Sequence, residues 1–394
     1  MINQNLLHTE IQDYIRNFHG DISQIAFTGS PFPSISAAEL IQQIESRRKA
    51  EKKLPTWFAT PNILFPPKLN LEQTSSETTA KYKASIINGT TLADITGGFG
   101  VDAFFLAEKF NAVHHFEVNQ QLSKLAEHNF NVLNRKNVKC FAEDGLDQAL
   151  NHQYDVIYAD PSRRHNSKGK VFFLKDCEPN IPENISLLLQ QCNKLLLKTS
   201  PMLDLSVGLD ELKNVVEIHV VAVENEVKEL LWLLKKNSSE APKIRTINFT
   251  KWGVQTFDFL WKTDAVGTLS VPKKYLFEPN AAILKSGAFQ LVSERFNIGK
   301  LHKNTHLYTS DKLIDFPGRR FCIDKIIPYS KTEMRRANLR KANIATRNFP
   351  ESVETLRKKW KIASGGEVYL FFTTTSDEKK QMLVCSKLKA DSQL

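Results

Sequence analysis

The chain has no apolar run of about 18 or more residues, so no membrane-spanning helix is expected among its 394 residues. Its first residues, Met1-Ile2-Asn3-Gln4-Asn5-Leu6-Leu7, have no basic segment leading into an apolar run, and no secretory signal is expected. Cysteine is scarce. The five that occur, Cys140, Cys177, Cys192, Cys322 and Cys385, are scattered and odd in number. None forms a C-x-x-C pair or a Cys/His cluster with zinc spacing, so neither a disulfide framework nor a metal site is expected. This predicts a reduced, cytoplasmic protein whose cysteines act mostly as small buried hydrophobes. Internal repeats and low-complexity tracts are also missing. The tail from Ser376, rich in Lys, Glu, Asp and Ser, is expected to end disordered.

The hydrophobic content is 41%, enough for sizeable cores, and the length fits two or three domains of about 100–200 residues. Formal net charge is +10 and the sequence pI about 9.2. Such a balance favours a polyanionic partner if the cations cluster.

Residues 1–70 read as a mostly helical region. Ala37, Leu40, Ile41 and Ile44 have helical spacing, with Ser36 and Glu39 placed for a capping box. Prolines 55, 61, 66 and 67 then predict a loop over Lys53–Lys68. Thr74 and Glu77 fit a second capping box, before a helix reaching about Ile87. From there short apolar runs alternate with helical patterns. Strands are expected at Thr91–Ile95, Ala112–Val118, Val138–Ala142, Asp155–Ala159 and Lys194–Lys198, with helices such as Val101–Phe110 and Gln120–Leu133 between them. That alternation is the pattern of a parallel α/β sheet. Val215–Val223 and Glu229–Leu234, joined through Glu224-Asn225-Glu226, look like an antiparallel hairpin closing it. Asn248–Phe249 and Phe257–Trp261 extend the sheet or begin a connector. The last third, from about Val271, mixes short strands, turns such as Pro317-Gly318, a helix at Ala281–Gly287 and basic helical stretches.

One loop stands between a strand and a helix: Asp94-Ile95-Thr96-Gly97-Gly98-Phe99-Gly100. Glycines let a backbone turn sharply and approach a ligand closely, and the helix start behind them favours an anionic group. A nicotinamide-type G-x-G-x-x-G would continue differently, since Val101 and Asp102 stand where that fingerprint goes on. By itself the loop is equally a tight strand–helix turn. Three acids follow in order. Glu117 ends the second strand, Asp144 follows the third before Gly145, and Asp160 ends the fourth in Asp160-Pro161-Ser162-Arg163. Each alone is ordinary: a solvated Glu, a turn Asp, a loop acid. Together they lie where open α/β sheets bind ligands, at the carboxyl ends of strands.

The loop resembles motif I of class I S-adenosylmethionine-dependent methyltransferases. The resemblance implies S-adenosylmethionine as cofactor, held by Asp94, Thr96, Gly97, Gly98, Phe99, Gly100 and Asp102. It gives Glu117 to the ribose hydroxyls, Asp144 to the adenine amino group and Asp160 to the reacting end. The run Asp160-Pro161-Ser162-Arg163-Arg164 is similar to motif IV, (D/N/S)PP(Y/F/W), of enzymes that methylate exocyclic amino groups of bases. There the acid accepts from the amino group, and alignment at about 3–3.5 Å supplies most of the acceleration. Ser162 replaces the second proline and Arg163 the aromatic residue. An arginine can stack on a base, grip a phosphate, or simply belong to an exposed basic loop. Gln73-Thr74-Ser75-Ser76-Glu77 resembles the segment that precedes motif I, beside the methionine end of the cofactor.

Lys331–Lys361 holds ten cations against Glu333, Glu351 and Glu354. That is the footprint expected for a phosphate backbone, or equally two solvated helix faces. Ala342–Pro350, Leu356-Arg357-Lys358-Lys359 and Gly365-Gly366 look like the THUMP-like C-terminal domain of a bacterial methyltransferase family. The resemblance covers most of the chain from about residue 50. It implies an RNA-directed enzyme in which Arg164, Arg335, Arg336, Arg340, Lys341 and Arg347 meet the RNA. His302 and His306 lack a third ligand and are expected to be structural. Phe257, Trp252 and Trp261 are better placed as packing residues than as a stacking platform.

The expected architecture is α/β. A Rossmann-like class I methyltransferase sheet, parallel with an antiparallel final hairpin, occupies residues 71–265. A mostly helical region precedes it over 1–70, and an α+β THUMP-like basic domain follows over 271–394. The leading expectation is methylation of a nucleobase nitrogen of RNA. A small-molecule or protein methyltransferase, and a non-catalytic cofactor- or RNA-binding protein, are the alternatives. The sequence does not fix the oligomeric state.

Overall fold

The computed structural model describes residues 3–163 and 173–388. Contacts divide the chain into two compact units. One takes the residues up to Glu217 together with Leu230–Glu240. The other takes Ile218–Glu229 and the chain from Ala241 on.

The first unit begins with α1 (Thr9–Asn17), α2 (Ile22–Thr28) and α3 (Ala37–Lys53). Ser36 caps α3 with the expected box: its hydroxyl accepts from Glu39 N while Glu39 Oε2 accepts from Ser36 N. Ile11, Ile15, Ile25, Leu40 and Ile44 form a small core of their own. At about 1.5–3 kcal/mol per buried aliphatic side chain, that core is enough to order three short helices. The segment read as a loop contains a helix, α4 (Pro55–Ala59). Pro55 sits at its first turn, where the missing N–H costs nothing. Then come α5 (Lys68–Gln73) and α6 (Glu77–Ile86). The cap of α6 is Ser76, which accepts from Thr79 N, so the cap lies two residues beyond Thr74. Glu77 instead receives the amide and hydroxyl of Thr56.

The α/β core follows: β1 (Thr91–Asp94), α7 (Val101–Leu106), β2 (Ala112–Phe116), α8 (Gln120–Val132), β3 (Val138–Phe141), α9 (Gly145–Asn151) and β4 (Tyr154–Ala159). After it come two short strands, β5 (Ser162–Arg163) and β6 (Cys177–Glu178), then α10 (Ile181–Gln191), β7 (Cys192–Thr199) and α11 (Leu205–Glu211). β1 pairs in parallel with β2 on one side and β4 on the other. β3 extends the sheet beyond β2, and β7 extends it beyond β4. The strand order therefore reverses between β1 and β4, the switch point at which such sheets bind ligands. β8 (Val215–Val223) and β9 (Glu226–Lys235) form the expected hairpin. Its two turn residues, Glu224 and Asn225, both have positive φ, as a turn matched to strand twist requires. The Leu230–Lys235 part of β9 lies antiparallel to β7.

In the second unit, β10 (Lys243–Thr250) and β11 (Gly253–Leu260) form a hairpin around the Trp252 turn. β12 (Tyr275–Pro279), α12 (Ala281–Ser286), α13 (Phe289–Phe296), β13 (Gly299–His302) and β14 (Thr305–Ser310) follow. β15 (Gly318–Pro328), α14 (Lys331–Ala337), β16 (Lys341–Arg347), α15 (Val353–Trp360), β17 (Ala363–Thr374) and β18 (Lys380–Lys387) complete the chain. Seven strands make one sheet in the order β13-β14-β12-β15-β18-β17-β16. The tail from Ser376, expected to end disordered, supplies β18, a central strand with Met382, Leu383, Val384 and Cys385 buried, and residues 389–394 lie outside the described residues. The continuous apolar run Met382–Cys385 outweighed the polar flanks of that strand. Phe257 packs in a core with Phe277, Ile283 and Tyr308, while Trp252 is exposed. His302 and His306 flank the β13–β14 turn rather than sharing a helix face. None of the five cysteines is in a disulfide. Among the described residues no helix is long and apolar enough to cross a membrane, and no acid, His and Cys group could hold a metal.

Candidate active site

The glycine loop leaves β1 at the switch point. Asp94 is buried, and its carboxylate accepts from the amide of Thr96 at 3.1 Å. Burial pushes its carboxyl well above the usual carboxylate range, and the charges of Asp102, Asp160 and Glu117 push the same way. The loop is pinned by its backbone: Ile95 N to Tyr158 O at 3.0 Å and Gly97 N to Phe116 O at 2.8 Å.

The glycines do different jobs. A Cβ on Gly97 would stand 2.5 Å from the His115 ring, and one on Gly100 would stand 2.5 Å from Phe130. Those two positions are closed by packing. A Cβ on Gly98 would meet only Thr96 O at 3.7 Å, although its φ of 59° disfavours any side chain. The loop is thus packed beneath and open at Gly98, the room a ligand needs.

Glu117 stands at the end of β2. Its Oε2 accepts from Gly98 N at 2.9 Å and its Oε1 from Asn119 N at 2.7 Å. Each carboxylate oxygen keeps a second lone pair, so the group can still receive ligand hydroxyls. Asp144 is the cap of α9, accepting from Leu146 N and Asp147 N through Oδ1.

Asp160 follows β4. Its amide donates to Thr96 Oγ1 at 2.7 Å, tying it to the loop. Its Oδ2 is paired with Lys198, near the end of β7. Ser162 and the backbone of Arg163 pair with Glu178 and Cys177. Arg164 and the side chain of Arg163 lie outside the described residues.

Two residues assigned to the cofactor by resemblance turn inward. Asp102 is buried and accepts from Ser75 Oγ at 2.8 Å and Tyr158 Oη at 2.7 Å, with Lys83 Nζ 3.2 Å from its Oδ1. Burial alone would raise its carboxyl. Lys83 and then Lys198, with those two hydroxyls, outweigh that and hold it below the usual range. Phe99 is buried too, with its ring 6.3 Å from that of Trp57, so only its backbone belongs to the loop surface. The segment before α6 likewise spends Ser75 on Asp102 and Glu77 on Thr56.

Over 97% of its length the chain is similar to the crystal structure of a "putative methyltransferase" from Porphyromonas gingivalis W83. The identity is 34%, 99% of that chain is covered, and the TM-score is 0.87. The chain belongs to this methyltransferase family. Two family models match its last third: a ferredoxin-like domain over residues 275–317 and a THUMP domain-like region over residues 318–387. An rRNA methylase from Streptococcus thermophilus aligns with 41% of the chain and 95% of its own length, at 17% identity and TM-score 0.31. A methyltransferase from Geobacter sulfurreducens aligns with 41% and 78%, at 14% identity and TM-score 0.31. No curated protein matches.

In the THUMP-like part of this methyltransferase-family chain, α14 and α15 border a cleft of about 940 Å³. Lys331, Arg335, Arg340, Lys359 and Lys361 line it, together with Tyr329 and Trp360. Arg336 and Lys341 are exposed. Arg347 differs from the expectation. Its guanidinium and that of Arg319 both pair with Glu278, which is only 3% exposed. A buried carboxylate needs that cation, so Arg347 has a structural partner that the other basic residues of this stretch lack at Glu278.

Lys83, His115 and Lys198 were not singled out from sequence. Lys198 left a weak signal, a charge ending the apolar run Leu195-Leu196-Leu197. His115 and Lys83 left none, because each is defined by what packs on it.

Proposed function

We infer that the protein is an S-adenosylmethionine-dependent methyltransferase acting on a nucleobase nitrogen of RNA. One observation carries the cofactor reading: Asp94, Glu117, Asp144 and Asp160 stand at the carboxyl ends of four successive parallel strands around a loop open at Gly98. The residues fit the cofactor. Glu117 has acceptor capacity for ribose hydroxyls, Asp144 Oδ2 for the adenine amino group, and Thr96–Gly98 backbone for the amino-acid end. When bound, S-adenosylmethionine supplies a methyl group on a sulfonium leaving group. The chain's part is to exclude water, hold the acceptor nitrogen in line and accept its N–H at Asp160. Family membership supports methyl transfer, and the cationic cleft between α14 and α15 supports a nucleic-acid acceptor.

Nucleoside mass mapping of RNA from a strain lacking the gene tests this. One methylated nucleoside should disappear and return on complementation with the unaltered gene but not with Asp160→Ala. An unchanged profile in every RNA class would reject RNA as the acceptor.

A further inference from the structure

Asp160 is held twice. Its backbone amide is fixed by Thr96 Oγ1 at 2.7 Å, and its Oδ2 by Lys198. Oδ1 has no partner among the described residues. The lysine side chain is 14% exposed and the carboxylate 31%, so the pair is drawn out of bulk water but open at the carboxylate. Such a half-buried pair adds little net stability, because desolvating two charges offsets most of their attraction. The backbone at Asp160 is already anchored without it. Lys198 also helps hold Asp102 low, after the larger effect of the buried Lys83. Among the described residues the site therefore gathers Asp94, Asp102, Asp160 and Glu117 against Lys83 and Lys198, and of these two Lys198 meets the carboxylate at the reacting end.

We propose that Lys198 is a positioning residue of the transfer site: it clamps Asp160 through Oδ2 and leaves Oδ1 to accept from the N–H of the methyl acceptor. A fixed carboxylate with one free oxygen selects a neutral amino nitrogen, which has both an N–H to donate and a lone pair to methylate. A hydroxyl or thiol has a single hydrogen and is better served by a base than by a clamped ion-paired acceptor. The clamp also sets the charge met by a cationic ligand, since Lys198 neutralises Asp160 beside it. This rests on the proposed function above, which puts the transfer at Asp160.

Lys198→Met, Lys198→Arg and Asp160→Asn test it with two readouts. Calorimetry gives the affinities for S-adenosylmethionine, which is cationic at sulfur, and for S-adenosylhomocysteine, which is not. Single-turnover incorporation from methyl-labelled cofactor into RNA of the deletion strain gives the transfer rate. Lys198→Met should shift the affinity ratio toward the cationic ligand by about fivefold or more, because it leaves Asp160 unneutralised. Asp160→Asn should shift it the opposite way. Transfer should fall about 100-fold in Lys198→Met, the scale of a lost alignment, and Lys198→Arg should restore most of it. A purely structural lysine would lower both affinities together and leave their ratio alone. An unchanged ratio, or transfer within twofold of the unaltered protein, overturns the proposal. If Lys198→Met does not fold, the ratio in Asp160→Asn and Lys198→Arg decides. Failure of every form to bind either ligand rejects the cofactor reading and this proposal with it. A shifted ratio without label in RNA keeps the role of Lys198 and rejects RNA.

Discussion

Lys83 is fully buried, and its Nζ stands 3.2 Å from Asp102 Oδ1. Asp102 in turn takes the Tyr158 hydroxyl from β4 and the Ser75 hydroxyl from the segment before α6. One carboxylate thereby ties three pieces of chain together beneath the glycine loop. Removing Lys83 takes the nearest cation from a buried carboxylate. Lys83→Met is expected to cost about 3–5 kcal/mol, while Lys83→Met combined with Asp102→Leu recovers much of that loss. Denaturant unfolding of both variants and of Asp102→Leu alone measures the coupling. Equal losses in Lys83→Met and the double variant would show that the pair is not a unit.

The glycines predict a separation of stability from binding. Gly97→Ala and Gly100→Ala push a methyl group into His115 and Phe130, and each should destabilise by about 1–3 kcal/mol. Gly98→Ala meets open space, so its cost should be limited to about 1 kcal/mol for the left-handed backbone. It should nevertheless weaken cofactor binding, because its methyl group points into the room left for the ligand. Thermal unfolding paired with calorimetry separates the two classes. The reverse ranking would place the open side of the loop elsewhere.

His115 gives a pH signature. The ring is buried against Phe130, neither nitrogen has a hydrogen-bond partner among the described residues, and burial lowers it from 6.5 to about 4. A folded value below the unfolded one means that the unfolded chain binds the proton more readily in between. Stability from the neutral ring is therefore complete above about pH 6.5 and lost as pH falls toward 4, by about 3 kcal/mol in all. His115→Phe should flatten that part of the profile. A variant profile parallel to that of the unaltered protein between pH 6.5 and 4 would contradict the assignment.

The basic residues divide into two groups. Arg335→Glu with Arg340→Glu should leave folding intact, weaken RNA binding and lower its salt dependence by about two phosphate contacts. Arg347→Ala should destabilise instead, since it strips one of two cations from buried Glu278. Filter binding at several salt concentrations, alongside unfolding curves, distinguishes them. Binding lost only in Arg347→Ala would reverse this division.

What the sequence made legible was whatever local order encodes. Strand–helix alternation, the Ser36–Glu39 box and the acids at successive strand ends are spaced along the chain and need no partner. What it hid was set by tertiary neighbours. Asp102 reads as part of the loop motif, yet a lysine 19 residues earlier draws it inward. Arg347 reads as one cation in a basic run, yet Glu278 on another strand claims it. Thr74 and Ser76 are both good caps, and only the path of the chain into α6 chooses between them. Pro55 looked like a helix breaker because its place at a first helical turn is visible only once Trp57 is buried against Phe104.

Calorimetric titration of the purified protein with S-adenosylmethionine tests the central claim most directly. The account predicts one site per chain, weakened at least tenfold in Glu117→Ala, with stability lowered by no more than the about 1–3 kcal/mol of its two lost backbone hydrogen bonds. Absence of binding, or binding indifferent to Glu117, would contradict it.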